Sequence, residues 1–299
     1  NTDRAHAAAR KHPGFNACLM YGTTYAPVLK VPMYCYFDAT AQQVWDAKAW
    51  EFAHFPEPTA HRVIDYQREI FNRCAAIFPR TEWAAKSVRE DYRIPAARVV
   101  PAGAGANYLA DPVPHGRYDT QTILFVGIDF ERKGGPLIVE AFRQVREQLP
   151  KARLVLVGCD VQIDEPGIEV AGKISKDAPG GKERLLKIYS EASVFCMMSH
   201  FEPFGIVVIE AQNSFVPCVL PNRFAFPEMI RDGETGRLVN KYDPRRLAEV
   251  LTGLLSNPAK LEKMGRAAYD FVHEHWTWDA AAARIEARIL EDLGKEKRD

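Results

Sequence analysis

Two glutamates, Glu202 and Glu210, stand with seven residues between them in HFEPFGIVVIEA, where a loop runs into a helical pattern. If that helix begins near Gly205, the unpaired N–H groups of its first turn face outward, and the positive end of its dipole favours a bound diphosphate. Gly205 has no side chain to hold such a group away. Glu210 lies roughly 7.5 Å further along at helical rise, within reach of a ribose diol beside that diphosphate. Glu202, on the loop, would face a sugar. A cation is available in ERKGG, where Lys133 follows the apolar run TILFVG, at the end of a strand where doubly wound sheets bind ligands. Blander readings compete: paired glutamates arise by chance, and a charged turn such as ERKGG is usually only solvated.

Other chemistries find little support. His273 and His275 alternate, a spacing that does not put two metal ligands on one helical face. GAGAN at 103–107 falls short of a dinucleotide fingerprint, KGG is not a Walker loop, and no GxSxG is present. Asp38 could accept from a hydroxyl or could cap the helix that follows Ala39. Trp45, Trp50, Trp276 and Trp278 read as core or interdomain packing, with the first two also able to flank a groove.

The elements that must hold these residues alternate along the chain. TILFVG, ARLVLVG, GIEVAGKI, SVFCMMS and VPCVLP are short apolar strands. PLIVEAFRQVREQL, ERLLKIYSEA and FGIVVIEAQNS are the helices between them, and Pro136 suits a first-turn position. This alternation implies α/β architecture, a parallel sheet covered on both faces. DPRRLAEVLTGLLSN, PAKLEKMGRAAYDFVHEH and WTWDAAAARIEARILEDLG follow as helices. Upstream, HPGFNACLMYG, PMYCYFDAT and ARVVPAG read as strands and TEWAAKSVREDYR as a helix. DPVPHGRYD is a linker by composition. It divides a first domain, 1–112, from a second at 113–276.

The first domain is short by roughly 50 residues if the two are of similar size, and the opening NTDRAHAAARKHPG lacks an initiator Met, so the sequence reads as a fragment. Lys plus Arg equals Asp plus Glu at 39 each, which leaves no polyelectrolyte footprint for nucleic acid. The six cysteines are isolated and form no CxxC, which fits a reducing compartment. Charges or prolines interrupt every hydrophobic run, so membrane contact, if any, is peripheral.

The run FVG, RKGG, LVLVG, YSEASVF, EPFGIVVIE, PEMIRDGETGRLV and WTWDAAAARI, in that order, resembles the retaining glycosyltransferases of family 4 and their Glu-x7-Glu motif. The resemblance implies the GT-B fold: two Rossmann-like, doubly wound domains facing a cleft, here with an incomplete first domain and a closing helix at 277–299 packed back towards it. It implies a nucleoside-diphosphate sugar as donor and a glycan, lipid-linked sugar or small molecule as acceptor, as in cytoplasmic polysaccharide biosynthesis. No metal cofactor is expected, since the DxD anchor of the other main glycosyltransferase fold is missing.

By the same resemblance Glu202 binds donor sugar hydroxyls, Glu210 binds the ribose, and Phe204, Gly205, Ile206 and Val207 form the turn whose amides hold sugar and diphosphate. Lys133 matches the phosphate-binding lysine, where a cation would stabilise the departing diphosphate. The family's arginine directly after FVG is replaced by Ile128, beyond Gly127, so either Arg132 substitutes or the contact is absent. Gly172, Lys173 and Ile174 match a loop that touches the nucleobase. Asp38 occupies the position where many relatives carry a histidine near the reacting sugar. These departures leave a rival reading, a non-catalytic subunit that binds a nucleotide sugar or depends on a partner.

Overall fold

A computed structural model describes residues 14–25, 27–107 and 117–296 of the chain. The opening residues 1–13, the domain boundary at 112 and most of the linker, 111–116, lie outside the described residues. By internal contact the chain divides into two compact units, Gly105–Thr277 and a unit formed by Asn1–Ala104 with Trp278–Asp299. Both are built on parallel sheets.

In the first unit, β1 (Cys18–Tyr21), β2 (Met33–Phe37) and β3 (Ala76–Pro79) form a parallel sheet in that order. All five residues of β2 are buried, as a strand covered on both faces requires. Strand alternation sends Cys35 and Phe37 to one face, against Ile64, Ile70 and Phe71 of α2 (Glu57–Arg73). Tyr34 and Tyr36 point to the other face, where Ile285 and Ile289 of the long last helix pack. That helix is tied down by Arg284, which donates to the Ala102 carbonyl at 2.9 Å, and by Arg288, which donates to the Ala97 carbonyl at 2.6 Å.

Two local expectations need correction. Thr40, rather than Asp38, caps α1 (Ala41–Asp46), its hydroxyl accepting from the Gln43 N–H in a capping box. Asp38 instead lies 3.8 Å from the Arg80 guanidinium. ARVVPAG is not a strand: Val99 makes a single bridge to Ile77, after a 3-10 turn at Ala96–Arg98. Proline at 95 and 101 denies the segment a longer ladder. Of the tryptophans, Trp276 is buried, whereas Trp50 and Trp278 are exposed.

The second unit carries six parallel strands: β4 (Thr122–Val126), β5 (Arg153–Val157), β6 (Ile168–Gly172), β7 (Val194–Cys196), β8 (Cys218–Pro221) and β9 (Gly236–Val239). Their spatial order is β6-β5-β4-β7-β8-β9. The chain therefore winds outward one way from β4, returns, and winds the other way from β7. That is the doubly wound arrangement, with its topological switch point between β4 and β7.

Helices α4 (Gly135–Gln148) and α8 (Pro244–Leu255) bury Ile138, Phe142, Leu247 and Leu251 against Ile123, Phe125, Leu154 and Leu156. The Asp-Pro start of α8 behaves as its sequence implies, with Asp243 accepting from the Arg245 and Arg246 amides. Among the described residues, no helix is long and apolar enough to cross a membrane.

Candidate functional site

At the switch point the loop after β4 meets the loop after β7. The first of these folds into a tight turn, with the Lys133 amide donating to the Asp129 carbonyl at 3.0 Å and the Gly135 amide to the Phe130 carbonyl at 2.8 Å. Gly134 then caps α4 at φ 79°, ψ 24°, a left-handed conformation costly for other residues. Space requires glycine as well, because a Cβ at 134 would stand 2.1 Å from the Met198 carbonyl oxygen. The close approach lets the two loops bond directly, Met198 N–H to the Lys133 carbonyl at 3.2 Å and His200 N–H to the Arg132 carbonyl at 2.8 Å. Lys133 is thereby held beside the loop that carries Glu202.

Glu202 is 8% exposed and sits among donors. One of its oxygens takes the Lys133 ammonium in a direct ion pair and lies 3.8 Å from the Arg132 guanidinium; the other accepts from the Gly205 N–H at 3.1 Å. Gly205, at φ 70°, ψ 56°, is the left-handed N-cap of α6 (Ile206–Asn213), as the sequence predicts. Arg132 does more structural than free electrostatic work. Its guanidinium donates to the Phe201 carbonyl at 2.7 Å and to Asp129 at 3.1 Å, tying the loops together.

Glu210 follows on the second turn of α6 and is only 4% exposed. Its Oε1 accepts from Lys176 Nζ at 2.9 Å and its Oε2 from the Tyr189 hydroxyl at 3.4 Å. Burial, and then the nearby Glu210 charge, push the Tyr189 phenol far above its usual range, so it stays neutral and donates. Tyr189 belongs to α5 (Gly181–Glu191) and Lys176 to the loop between β6 and α5.

These groups surround a cavity of about 480 Å³ lying wholly within the second unit. Val157, Ile174, Leu185 and Val207 give it an apolar wall, and Asp129, Arg132, Lys133, Lys176 and Glu210 give it charge of both signs. An apolar slot with a few convergent polar groups at a switch point suits a base, a ribose and an anion in line.

Of the residues singled out in the sequence, Gly127, Ile128, Arg132, Lys133, Ile174, Val207 and Glu210 line this cavity. Glu202 reaches it through Lys133, and Gly205 and Ile206 begin the helix beside it. The Phe204 side chain is buried edge-to-face on Trp276, with ring centroids 5.6 Å apart. Lys173 is exposed and does not line the cavity; Lys176, three residues on, does. Asp38 belongs to the first unit.

Lys176, Tyr189 and Asp129 were not legible as site residues. Tyr189 falls on the buried face of an amphipathic helix, and Lys176 lies in SKDAPGGK, which has no periodicity. Among the described residues, no group of three His, Cys, Asp or Glu is placed to hold a metal ion. His273 lies 2.9 Å from the Asn213 side chain and His275 contacts Glu274 and Arg231, which fits the surface reading of both.

Comparison with known proteins agrees with this architecture. The chain is 31% identical over 179 residues to a D-inositol 3-phosphate glycosyltransferase of Corynebacterium diphtheriae, covering 56% of this chain and 42% of that protein. It is 41% identical over 105 residues to the protein of the same name in Streptomyces coelicolor, covering 35% of this chain and 23% of the relative. The matched stretches thus span less than half the length of these relatives.

Among solved structures, sucrose-phosphate synthase from Thermosynechococcus elongatus superposes with a TM-score of 0.77 at 19% identity, over 98% of this chain and 77% of the other. Anabaena HepE in complex with UDP-glucose does so with a TM-score of 0.72 at 14% identity, over 97% of this chain and 82% of the other. These likenesses establish the fold class, mixed α/β of the GT-B type. Residues 111–271, more than half of the chain, match the family model for glycosyl transferases group 1, and the chain belongs to that family.

Proposed function

We propose that this chain binds a nucleoside-diphosphate sugar in the cavity of its second unit and transfers the hexose, with retention of configuration, to a glycan, lipid-linked sugar or small polyol acceptor. The observation that carries the reading is the arrangement at the switch point, where Lys133, paired with Glu202, and Glu210 line one cavity. In that arrangement the diphosphate lies against the N-terminus of α6 and Lys133, the ribose hydroxyls donate to Glu210, and the donor sugar projects towards Glu202. The apolar wall, with Ile174, receives the base. Relatives named D-inositol 3-phosphate glycosyltransferase, and a structural neighbour solved with UDP-glucose, support the substrate classes.

Catalysis on this reading is electrostatic. The bond between the anomeric carbon and the leaving phosphate oxygen breaks as the Lys133 ammonium and the α6 amides stabilise the charge on that oxygen. The acceptor hydroxyl oxygen forms its bond to the anomeric carbon from the same face, and its proton passes to the leaving phosphate. Lys133 and the helix terminus supply positive charge that would otherwise call for a divalent cation. On the isolated spacing of its cysteines in the sequence we assign the activity to a reducing compartment, the cytoplasm, with any membrane contact peripheral.

The test is proton NMR of reactions containing UDP-glucose, GDP-mannose or ADP-glucose, an acceptor panel that includes inositol 3-phosphate, and EDTA. An α-linked product from one α-configured donor is expected. A β-linked product would contradict retention, and tight donor binding with no transfer to any acceptor would favour the binding-only rival.

A further inference from the structure

Glu210 is held by two donors that come from outside its own helix. An ionised carboxylate offers about four lone-pair sites. Lys176 takes one on Oε1 at 2.9 Å, and Tyr189 takes one on Oε2 at 3.4 Å. By that count one acceptor site remains on each oxygen, as many as two vicinal hydroxyl donors require. We infer that Lys176, with Tyr189, is a positioning residue that fixes the Glu210 carboxylate so that its two open acceptor sites meet the 2′- and 3′-hydroxyls of the nucleotide ribose. The inference rests on the donor-site reading above and adds to it the source of ribose selectivity.

Three observations support a built arrangement. The loop that carries Lys176 is fixed on both sides: the Ala178 amide donates to the Ser175 carbonyl at 3.3 Å, and the Gly181 amide to the Ala178 carbonyl at 2.9 Å. The Ser175 carbonyl also packs onto the start of α5, where a Cβ at Gly181 would stand 1.9 Å from it. The two donors differ in kind. Tyr189 is a neutral, buried phenol, and Lys176 brings the charge that offsets a carboxylate with 4% side-chain exposure. Finally, a buried ion pair adds little stability over an apolar pair of the same shape, so stability is a poor reason for the pair to line a cavity.

Lys176 is distinct from the phosphate cation Lys133, whose ammonium is paired with Glu202. The two roles predict different losses, and Lys176→Met separates them. The full chain is titrated calorimetrically with UDP, GDP and ADP, with their 2′-deoxy forms, and with inorganic diphosphate. In the wild type, removing the 2′-hydroxyl should weaken binding about 10-fold, the cost of an unmet buried acceptor. In Lys176→Met the ribose-to-deoxyribose ratio should fall to about 3 or below with diphosphate affinity unchanged, while Lys176→Arg keeps the wild-type ratio. Tyr189→Phe, which removes the other donor, should lower the ratio as well and serves if the Met variant melts early.

An unchanged ratio in Lys176→Met and Tyr189→Phe would overturn the inference. So would a parallel loss of diphosphate affinity, which would make Lys176 a phosphate ligand. If no nucleotide binds the folded wild type, the donor-site reading fails first and this one with it.

Discussion

Glu210→Ala is expected to weaken nucleoside-diphosphate binding by about 10- to 100-fold, since hydrogen bonds to a charged group contribute about 1.5–3 kcal/mol and each 1.4 kcal/mol is tenfold. The loss should fall on the ribose: inorganic diphosphate, which has no diol, should bind the variant as well as the wild type. Stability should fall by about 1–3 kcal/mol, because the buried Tyr189 hydroxyl loses its acceptor. The cation left behind, Lys176, has 29% side-chain exposure and can turn its ammonium to water. A cooperative melt only modestly below wild type, together with weakened nucleotide binding and unchanged diphosphate binding, would isolate recognition from folding. Unchanged nucleotide affinity in a folded Glu210→Ala chain would remove Glu210 from the site.

Lys133→Ala has the opposite profile. Its ammonium pairs with Glu202, and the two side chains are 13% and 11% exposed. Removing the lysine leaves a buried carboxylate with the Gly205 amide at 3.1 Å and the Arg132 guanidinium at 3.8 Å. Breaking such a pair from one side costs about 3 kcal/mol in stability. Turnover should fall by about 10²–10³, the scale seen when one preorganised stabiliser of developing negative charge is removed. The double change Lys133→Met with Glu202→Gln takes out both charges and should recover most of the stability without recovering turnover. Sugar transfer within about 3-fold of wild type in folded Lys133→Ala would refute an electrostatic role for this residue, given the expected scale.

How far the sequence carries the account depends on how local each feature is. β4, β5 and β8 are short apolar runs that end at glycine or proline, and a parallel strand covered on both faces has to read that way. The α6 start at Gly205 is visible because a residue without Cβ precedes an apolar helical run. Lys133 and Glu202 could be singled out because each lies at the carboxyl end of a strand, and the strand order then brings those ends together.

The rest depended on contacts distant in sequence. Lys176 reaches Glu210 across 34 positions, and no local pattern marks it. In the first unit, the pattern of α2 is hard to read from sequence because a polar residue interrupts its apolar seam. Gln67 is buried there among Ala60, Ile64, Ile70 and Phe71, held by its carbonyl accepting from the Ala41 amide at 2.7 Å and its amide donating to Thr23 at 2.6 Å. A buried glutamine that closes long-range bonds looks, in sequence, like a break in periodicity. Asp38 is not the helix cap for a related reason: Thr40 forms a reciprocal box with Gln43, and Asp38 lies beside Arg80, just beyond β3.

The central claim is that the cavity beside Lys133 and Glu210 is a nucleotide site, and direct titration of the folded chain with UDP, GDP and ADP tests it. The account predicts saturable, one-to-one binding that favours one of the three bases and is competed by the matching nucleotide sugar. No binding of any of them at millimolar concentration, to a chain that melts cooperatively, would contradict it.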